Sequence, residues 1–279
     1  MAHSLRLITY LVPSHPVELY ECIAHFLEEQ LHVSATLVYE SRDPIGLYND
    51  DCPDPFCLKE VDIGFLSPTQ YLKMKRSKKI ELLPITPVFV HSNNAAQKPG
   101  YFADIIMHTN AEKTVKSFLD LRGCNWGYTG DNSLSSSVSI QKLLRLHGEN
   151  SSFFGNTIKT GNHLLTVEKV KDKQVIAAAV DSVAFYNYKN VLHKDSDDII
   201  ILQSIGPLPP YAIVCGKNLN GDLKSKIANA LLKATTSLPW KAKFEKFGLI
   251  KFAENSSSAY SELEFSEPLD GKGLSSIYY

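Results

Sequence analysis

The sequence lacks long hydrophobic runs, any large excess of charge and a rich supply of cysteine, and each shortage excludes a class of function. No apolar stretch approaches the ~18 residues that a membrane-spanning helix needs. The formal net charge of −1 argues against general nucleic-acid binding, which needs a basic surface to neutralise phosphates. The five cysteines do not form a zinc-ligand set with each other or with histidine. We therefore predict no membrane insertion, no nucleic-acid partner, no metal and no cofactor.

The cysteine pattern also bears on the cellular compartment. An odd number of cysteines is typical of a reducing environment. The first strand candidate begins at Leu5, which leaves no room for a signal peptide. We therefore expect a cytoplasmic protein, or a periplasmic or extracellular one if a leader has been removed. Cys52 and Cys57 could form a loop disulfide or half of a metal site, but free thiols are the expectation.

The remaining composition is that of an ordinary globular protein. Hydrophobic residues make up 44% of the chain and charged residues 21%, which is the usual balance for a soluble fold. A length of 279 residues allows one large domain or two modest ones, each with its own core.

Hydrophobic periodicity predicts an α/β fold in which strands alternate with helices. Leu5–Leu11 and Val61–Leu66 have the apolar content of strands. From Pro16 to Leu31, apolar residues recur every three or four positions, which indicates an amphipathic helix. The same alternation continues along the chain, and we expect parallel sheets whose ligands lie at the carboxyl ends of the strands.

One stretch stands out as a candidate ligand site. Asn125–Tyr128 is a strand candidate, a polar turn follows, and Ser135, Ser136 and Ser137 precede an apolar-periodic helix that runs to Leu146. The unpaired N–H groups and the positive dipole end of such a helix favour an anion. The serines could instead serve only as caps and turn residues. On the anion hypothesis, we expect the Ser136 hydroxyl to be exposed and to contribute little to stability.

Other polar residues fall at the ends of predicted strands. Ser14, Ser67, His163 and Asp181 each follow such a strand, and we expect them near a ligand. Two of them have simpler interpretations. His163 could be a hydrogen-bonded loop residue or a helix cap, and Asp181 could cap the helix that begins at Ser182.

Seven segments, in order and spacing, resemble the phosphonate-type periplasmic solute-binding proteins, which are receptor components of ABC importers. The resemblance extends from about Leu5 to Phe265. The segments are residues 11–19, 26–33, 61–71, 100–106, the run from Asp120 through the serines, 160–163 and 175–181.

The resemblance implies a type II periplasmic-binding-protein fold, with two α/β lobes and a ligand cleft between them. Lobe one is then residues 1–91 plus 212–279, and lobe two is residues 92–211. The hinge crossings are expected near residues 91–105 and 207–214.

The resemblance also implies roles for individual residues. Ser135, Ser136, Ser137 and His163 match the positions that hold the phosphonate oxygens in the family. Tyr101 matches an aromatic residue after the hinge glycine, although it could equally pack within a strand. Asp181 matches, more loosely, an acid that faces the amine of the ligand. Hydroxyl and N–H donors suit a tetrahedral oxyanion, and a carboxylate suits an ammonium group.

Three functions fit this sequence. The first is a solute-binding protein for a small anionic or zwitterionic ligand that resembles phosphonate, phosphate or sulfonate, without catalysis. The second is a cytosolic enzyme on the same fold, similar to menaquinone- or thiamine-pathway enzymes. The third is a remnant of the binding fold that serves as a protein-interaction domain. We favour binding because no metal triad, phosphate loop or nucleophile–base pair is visible. Nothing in the sequence indicates a transporter permease as partner.

The segment between Asp43 and Phe56 departs from the family. It is rich in proline where a regular helix is expected. Because this segment should border the cleft, the resemblance alone does not assign the ligand of the family to this chain.

Overall fold

The computed structural model describes residues 4–40, 54–193, 197–264 and 274. The strands are β1 Ser4–Thr9, β2 Ser34–Tyr39, β3 Ile63–Leu66, β4 Ile80–Leu82, β5 Ile85–Phe89, β6 Tyr101–His108, β7 Asn125–Tyr128, β8 Asn156–Lys159, β9 Ala177–Asp181, β10 Ile199–Leu208, β11 Ala212–Gly216 and β12 Leu249–Glu254. The helices are α1 Val17–Leu31, α2 Pro68–Lys75, α3 Ser139–Leu146, α4 His163–Lys171, α5 Ser182–Asn187, α6 Gly221–Leu232, α7 Leu238–Glu245 and α8 Ser261–Glu264. Within these ranges, no helix is long and apolar enough to cross a membrane.

The chain divides into two compact units. The divisions fall between Gly100 and Tyr101 and between Leu208 and Pro209, and Leu274 groups with the second unit. Residues 92–100 and 209–211 belong to the first unit. The expected lobes and hinge crossings stay predictions.

The first unit contains a five-stranded sheet in the order β2-β1-β3-β11-β4 and a two-stranded sheet of β12 and β5. β1 is parallel to β2 and β3, and β11 is antiparallel to β3 and β4. α1 buries the apolar face that its periodicity predicts. That face comprises Leu19, Tyr20, Ile23, Ala24, Phe26 and Leu27. Burial of each large side chain contributes roughly 1.5–3 kcal/mol before entropy is counted.

The second unit contains one five-stranded sheet in the order β10-β6-β9-β7-β8. β7 is parallel to β8 and β9, whereas β6 is antiparallel to both β9 and β10. Alternate residues of β9 pack on opposite faces, because Ala177 and Ala179 join one core cluster and Ala178 and Val180 join another. This sheet is therefore buried on both sides, which explains the nearly continuous apolar run of β9.

The expectation of purely parallel sheets is wrong, because both five-stranded sheets are mixed. β12 was not predicted at all. Residues 80–89 give two strands, β4 and β5, which belong to different sheets. Gly206 and Pro207 lie inside β10. Pro239 lies in the first turn of α7, where a missing N–H costs nothing.

The structure describes two segments only in part. The proline-rich segment from Asp43 to Phe56 lies mostly outside the described residues. Near the end of the chain, Leu274 is 2% exposed and joins the core cluster of the second unit.

Candidate functional site

Most of the predicted site residues meet at one edge of the sheet of the second unit. The parallel strands β7, β8 and β9 end at this edge, and each leads into a helix. The antiparallel strand β6 begins at the same edge with Tyr101, and Ala103 of β6 is in register with Asp181 of β9. Ligands of α/β sheets bind outside the carboxyl ends of parallel strands.

The serine run forms the start of the helix that follows β7. Ser135, Ser136 and Ser137 lie in a π-helical turn, Leu134–Val138, that leads directly into α3. None of the three is the N-cap, because Ser133 takes that role and accepts a hydrogen bond from the Ser136 N–H at 3.3 Å. All three serines are buried, and Ser136 and Ser137 are 0% exposed. The expectation of an exposed Ser136 hydroxyl is therefore wrong.

Ser135 and Tyr101 form a pair of neutral donors. Burial and, secondarily, the negative charge of Asp181 raise the pKa of Tyr101 well above its ordinary value, while its hydrogen bond with Ser135 opposes that shift. The phenol therefore keeps its proton at neutral pH. Among the described residues, no atom accepts a hydrogen bond from the main-chain N–H of Ser135.

Ser136 and Ser137 have different partners. The Ser136 oxygen accepts a hydrogen bond from the Thr129 N–H at 3.1 Å and lies 2.6 Å from the Thr129 hydroxyl. The Ser137 oxygen accepts one from the Gln141 amide at 3.2 Å, one turn further along the helix. Ser136 is thus tied to the end of β7, whereas Ser137 is tied to its own helix.

His163 is the first residue of α4, and Asn162 caps that helix through the Leu165 N–H. The imidazole Nδ1 accepts a hydrogen bond from the main-chain N–H of Asp181 at 3.2 Å. Only an unprotonated Nδ1 can accept, so this contact selects the neutral tautomer with its proton on Nε2. His163 is half-buried and presents an N–H donor.

Asp181 is the N-cap of α5, as one interpretation of the sequence expected. Its Oδ1 accepts hydrogen bonds from the N–H groups of Val183 at 2.8 Å and Ala184 at 3.2 Å. The residue is 6% exposed. The capping role holds the carboxylate at the carboxyl edge of the sheet.

Ser14 and Ser67 lie in the first unit. Ser14 is half-buried in the turn before α1. Ser67 caps α2 by accepting a hydrogen bond from the Gln70 N–H at 3.4 Å, and the Gln70 side chain accepts one from the Ser67 N–H at 2.9 Å. This capping box gives Ser67 a local structural role.

The sequence did not single out Thr129, Ser133 or Asn162. The last two are detectable in principle, since Ser133 and Asn162 each lie three residues before the N–H that they cap. No pattern reveals Thr129, because its contacts depend on how β7 meets the π-helical turn.

The assembled edge can hold an anion without ion pairs. Its donors are hydroxyl groups, a phenol, a neutral imidazole and main-chain N–H groups at helix starts.

Comparison with known proteins identifies the fold. A binding protein component of an ABC phosphonate transporter from Pseudomonas aeruginosa is 14% identical, with a TM-score of 0.75 over 95% of this chain and 85% of that one. PhnD1 from Prochlorococcus marinus, solved with methylphosphonate, is 14% identical, with a TM-score of 0.71 over 94% and 96%. An ancestral arginine-binding protein bound to arginine is 17% identical, with a TM-score of 0.55 over 88% and 99%. The protein has this two-lobed periplasmic-binding-protein fold.

The family is set by a different comparison. No curated protein sequence matches the chain. The family model described as the periplasmic substrate-binding protein of the phosphonate ABC transporter matches residues 56–260, which is well over half of the chain. The chain therefore belongs to the family of phosphonate periplasmic substrate-binding proteins of ABC transporters, and its function is to bind a solute.

Proposed function

We propose that the carboxyl edge of the sheet in the second unit binds the tetrahedral oxyanion of a small phosphonate-, phosphate- or sulfonate-like solute. Ser135, Ser136, Ser137 and His163 would hold the oxyanion oxygens, and Tyr101 would contribute its phenolic hydroxyl. Family membership and the methylphosphonate bound to PhnD1 support this ligand class.

The observation that carries the proposal is the concentration of neutral donors at the start of two helices. The π-helical turn before α3 presents three buried hydroxyls and the main-chain N–H of Ser135, which has no acceptor among the described residues. α4 begins at the adjacent strand with His163, whose Nε2 carries a proton. Buried donors stabilise an oxyanion more than water-exposed ones do, because the local dielectric is low.

Asp181 adds a preference for ligands that carry an amine. Its carboxylate lies close enough to Tyr101 to raise the pKa of the phenol. An ammonium group beside the oxyanion would pair with this charge. We therefore infer that a zwitterionic aminophosphonate binds more tightly than a phosphonate without an amine.

Calorimetric titration of the wild type and of Asp181→Asn tests this proposal. The ligands are 2-aminoethylphosphonate and methylphosphonate, which differ in the amine. Asparagine is also a good N-cap, so the variant removes the charge and keeps α5 capped. We expect Asp181→Asn to weaken binding of 2-aminoethylphosphonate. It should not weaken methylphosphonate, which has no amine to pair and loses only a like-charge repulsion. An equal loss of affinity for both ligands would contradict the pairing of Asp181 with the amine.

The alternatives make different predictions. Failure of the wild type to bind these phosphonates, phosphate or methanesulfonate would contradict the oxyanion site and favour the interaction-domain hypothesis. An enzyme on this fold would convert a bound ligand, which mass spectrometry of the ligand after incubation detects.

The compartment and the transporter remain separate predictions. The family is periplasmic by its description, and a cytoplasmic location stays a prediction. The four cysteines within the described residues are free. Thiol counting on denatured protein from its native source should find all five cysteines reduced, and a Cys52–Cys57 disulfide would contradict a cytoplasmic location. A permease partner rests on family membership alone.

A further inference from the structure

Thr129 follows β7 directly and bonds to both segments that carry the donors of the proposed site. On one side, its hydroxyl and its N–H both contact the Ser136 oxygen. On the other side, its carbonyl accepts a hydrogen bond from the Gly161 N–H at 2.9 Å, two residues before His163. Thr129 is 7% exposed.

The hydrogen bonds between Thr129 and Ser136 limit where the hydroxyl proton of Ser136 can point. A hydroxyl oxygen has two acceptor positions and one proton. The Thr129 N–H fills one acceptor position of Ser136. If the Thr129 hydroxyl donates across the 2.6 Å contact, it fills the other position, and the Ser136 proton must go to a third group. In the opposite direction, the Ser136 hydroxyl would donate its proton to the Thr129 oxygen.

An oxyanion beside Ser136 accepts the Ser136 proton and therefore favours the arrangement in which Thr129 donates to Ser136. The chain then runs from the Thr129 hydroxyl to the Ser136 hydroxyl to the anion, and hydrogen bonds in such a chain polarise and strengthen one another. Neither Thr129 nor Ser136 is ionised in this arrangement, so the pair adds no charge of its own beside the ligand.

We propose that Thr129 is a positioning residue that directs the hydroxyl proton of Ser136 toward the bound oxyanion. This inference rests on the proposed function. It assigns Thr129 no contact with the ligand, because its effect passes through Ser136.

A double-mutant cycle with methylphosphonate as ligand tests the inference by calorimetry. Thr129→Val keeps the shape and the main-chain N–H and removes the hydroxyl. We expect it to weaken binding about three- to tenfold, the effect of one neutral hydrogen bond. Thr129→Ser restores the hydroxyl and should bind within about twofold of wild type. In a Ser136→Ala background, Thr129→Val should cause no further loss.

Thr114→Val is the matched control. Its hydroxyl donates to the Ala111 carbonyl on an exposed turn of the same unit, and we expect unchanged affinity. Circular dichroism of each variant checks that it is folded.

The outcomes separate the inference from the function on which it rests. If the losses from Thr129→Val and Ser136→Ala simply add, Thr129 does not act through Ser136 and the inference fails, while the oxyanion site stands. Equal weakening by Thr129→Ser and Thr129→Val also overturns it. If wild type does not bind methylphosphonate or any other small oxyanion, the proposed function fails and the inference fails with it.

Discussion

Ser136 has two roles in the structure, and its replacement should affect both. It is a proposed donor to the ligand, and its oxygen satisfies the buried N–H of Thr129. Ser136→Ala removes a hydrogen bond to a charged ligand, worth roughly 1.5–3 kcal/mol, which is about ten- to a hundredfold in affinity. It also leaves the Thr129 N–H without an acceptor, which costs about 1–3 kcal/mol of stability.

Calorimetry with methylphosphonate and thermal unfolding without ligand measure the two effects separately. Ser225→Ala is the control, because Ser225 lies on the exposed side of α6 in the first unit. It should change neither affinity nor stability appreciably. Wild-type affinity of the Ser136→Ala protein would show that Ser136 does not bind the ligand.

At the residue scale, sequence reasoning identified groups that the structure brings together but not their hydrogen bonds. The serine run, His163 and Asp181 meet at one edge because parallel strands align their carboxyl ends. Tyr101 joins them because the antiparallel strand β6 begins at the same edge. The N-cap was misplaced by two residues or more, since Ser133 and the serines after it are equally good caps by residue type. Thr129 could not be found, because a contact between a strand end and a helix start leaves no periodic signal.

At the scale of the element, Ser67 should affect the stability of α2. Its hydroxyl accepts a hydrogen bond from the Gln70 N–H, and the Gln70 side chain accepts one from the Ser67 N–H. Ser67→Ala should lower stability by about 1 kcal/mol, whereas Ser67→Asn keeps a good cap and should lower it by less. Urea unfolding measures this difference.

Ser67 was also predicted to contact the ligand, and the same variants test that role. If its role is only the cap, both variants bind methylphosphonate like the wild type. Weaker binding by Ser67→Ala and Ser67→Asn alike would instead assign Ser67 to the ligand.

Leu274 anchors a point near the carboxyl terminus to the second unit. Its side chain joins the core cluster that contains Trp126, and its carbonyl accepts a hydrogen bond from the Thr157 hydroxyl at 3.4 Å. Leu274→Ala should therefore lower the free energy of unfolding by about 2–5 kcal/mol, as buried leucine truncations do.

Leu146→Ala offers the same truncation at a side chain that is 84% exposed. It should cost less than about 0.5 kcal/mol. Similar small losses for both variants, measured by urea unfolding, would show that Leu274 does not anchor the core.

At the scale of the whole molecule, the fold class was predictable from the sequence. The direction of some strands and the presence of β12 were not. The amphipathic pattern of α1 and the apolar runs of β3 and β9 are strong signals, and the order of segments carried the family resemblance. The direction of β6 and β11 has no local signal, because a buried strand reads the same in either orientation. β12 was missed because Leu249–Glu254 mixes buried and half-buried residues without strict alternation.

Two cysteine thiols, one buried and one half-buried, should make the first unit sensitive to alkali. Burial raises the pKa of Cys22 to about 11, with nearby Lys243 and Lys246 opposing the shift. Burial likewise raises the pKa of Cys215 to about 11, against the opposing charge of Lys224. Because the folded state holds these protons more tightly than the unfolded state, their contribution is full below pH 9 and is lost as the pH rises through 11.

Urea unfolding midpoints at pH 7.5, 9, 10 and 11 measure that loss. A shift of two pKa units corresponds to at most about 2.7 kcal/mol for the fully buried Cys215 and less for the partly exposed Cys22. Cys215→Ala should flatten the decline between pH 9 and 11. Val214→Ala shortens the neighbouring buried side chain of β11 and keeps the thiol, so it should lower stability at every pH without changing the slope. If Cys215→Ala shows the full wild-type decline, ionisation of this thiol does not govern alkaline unfolding.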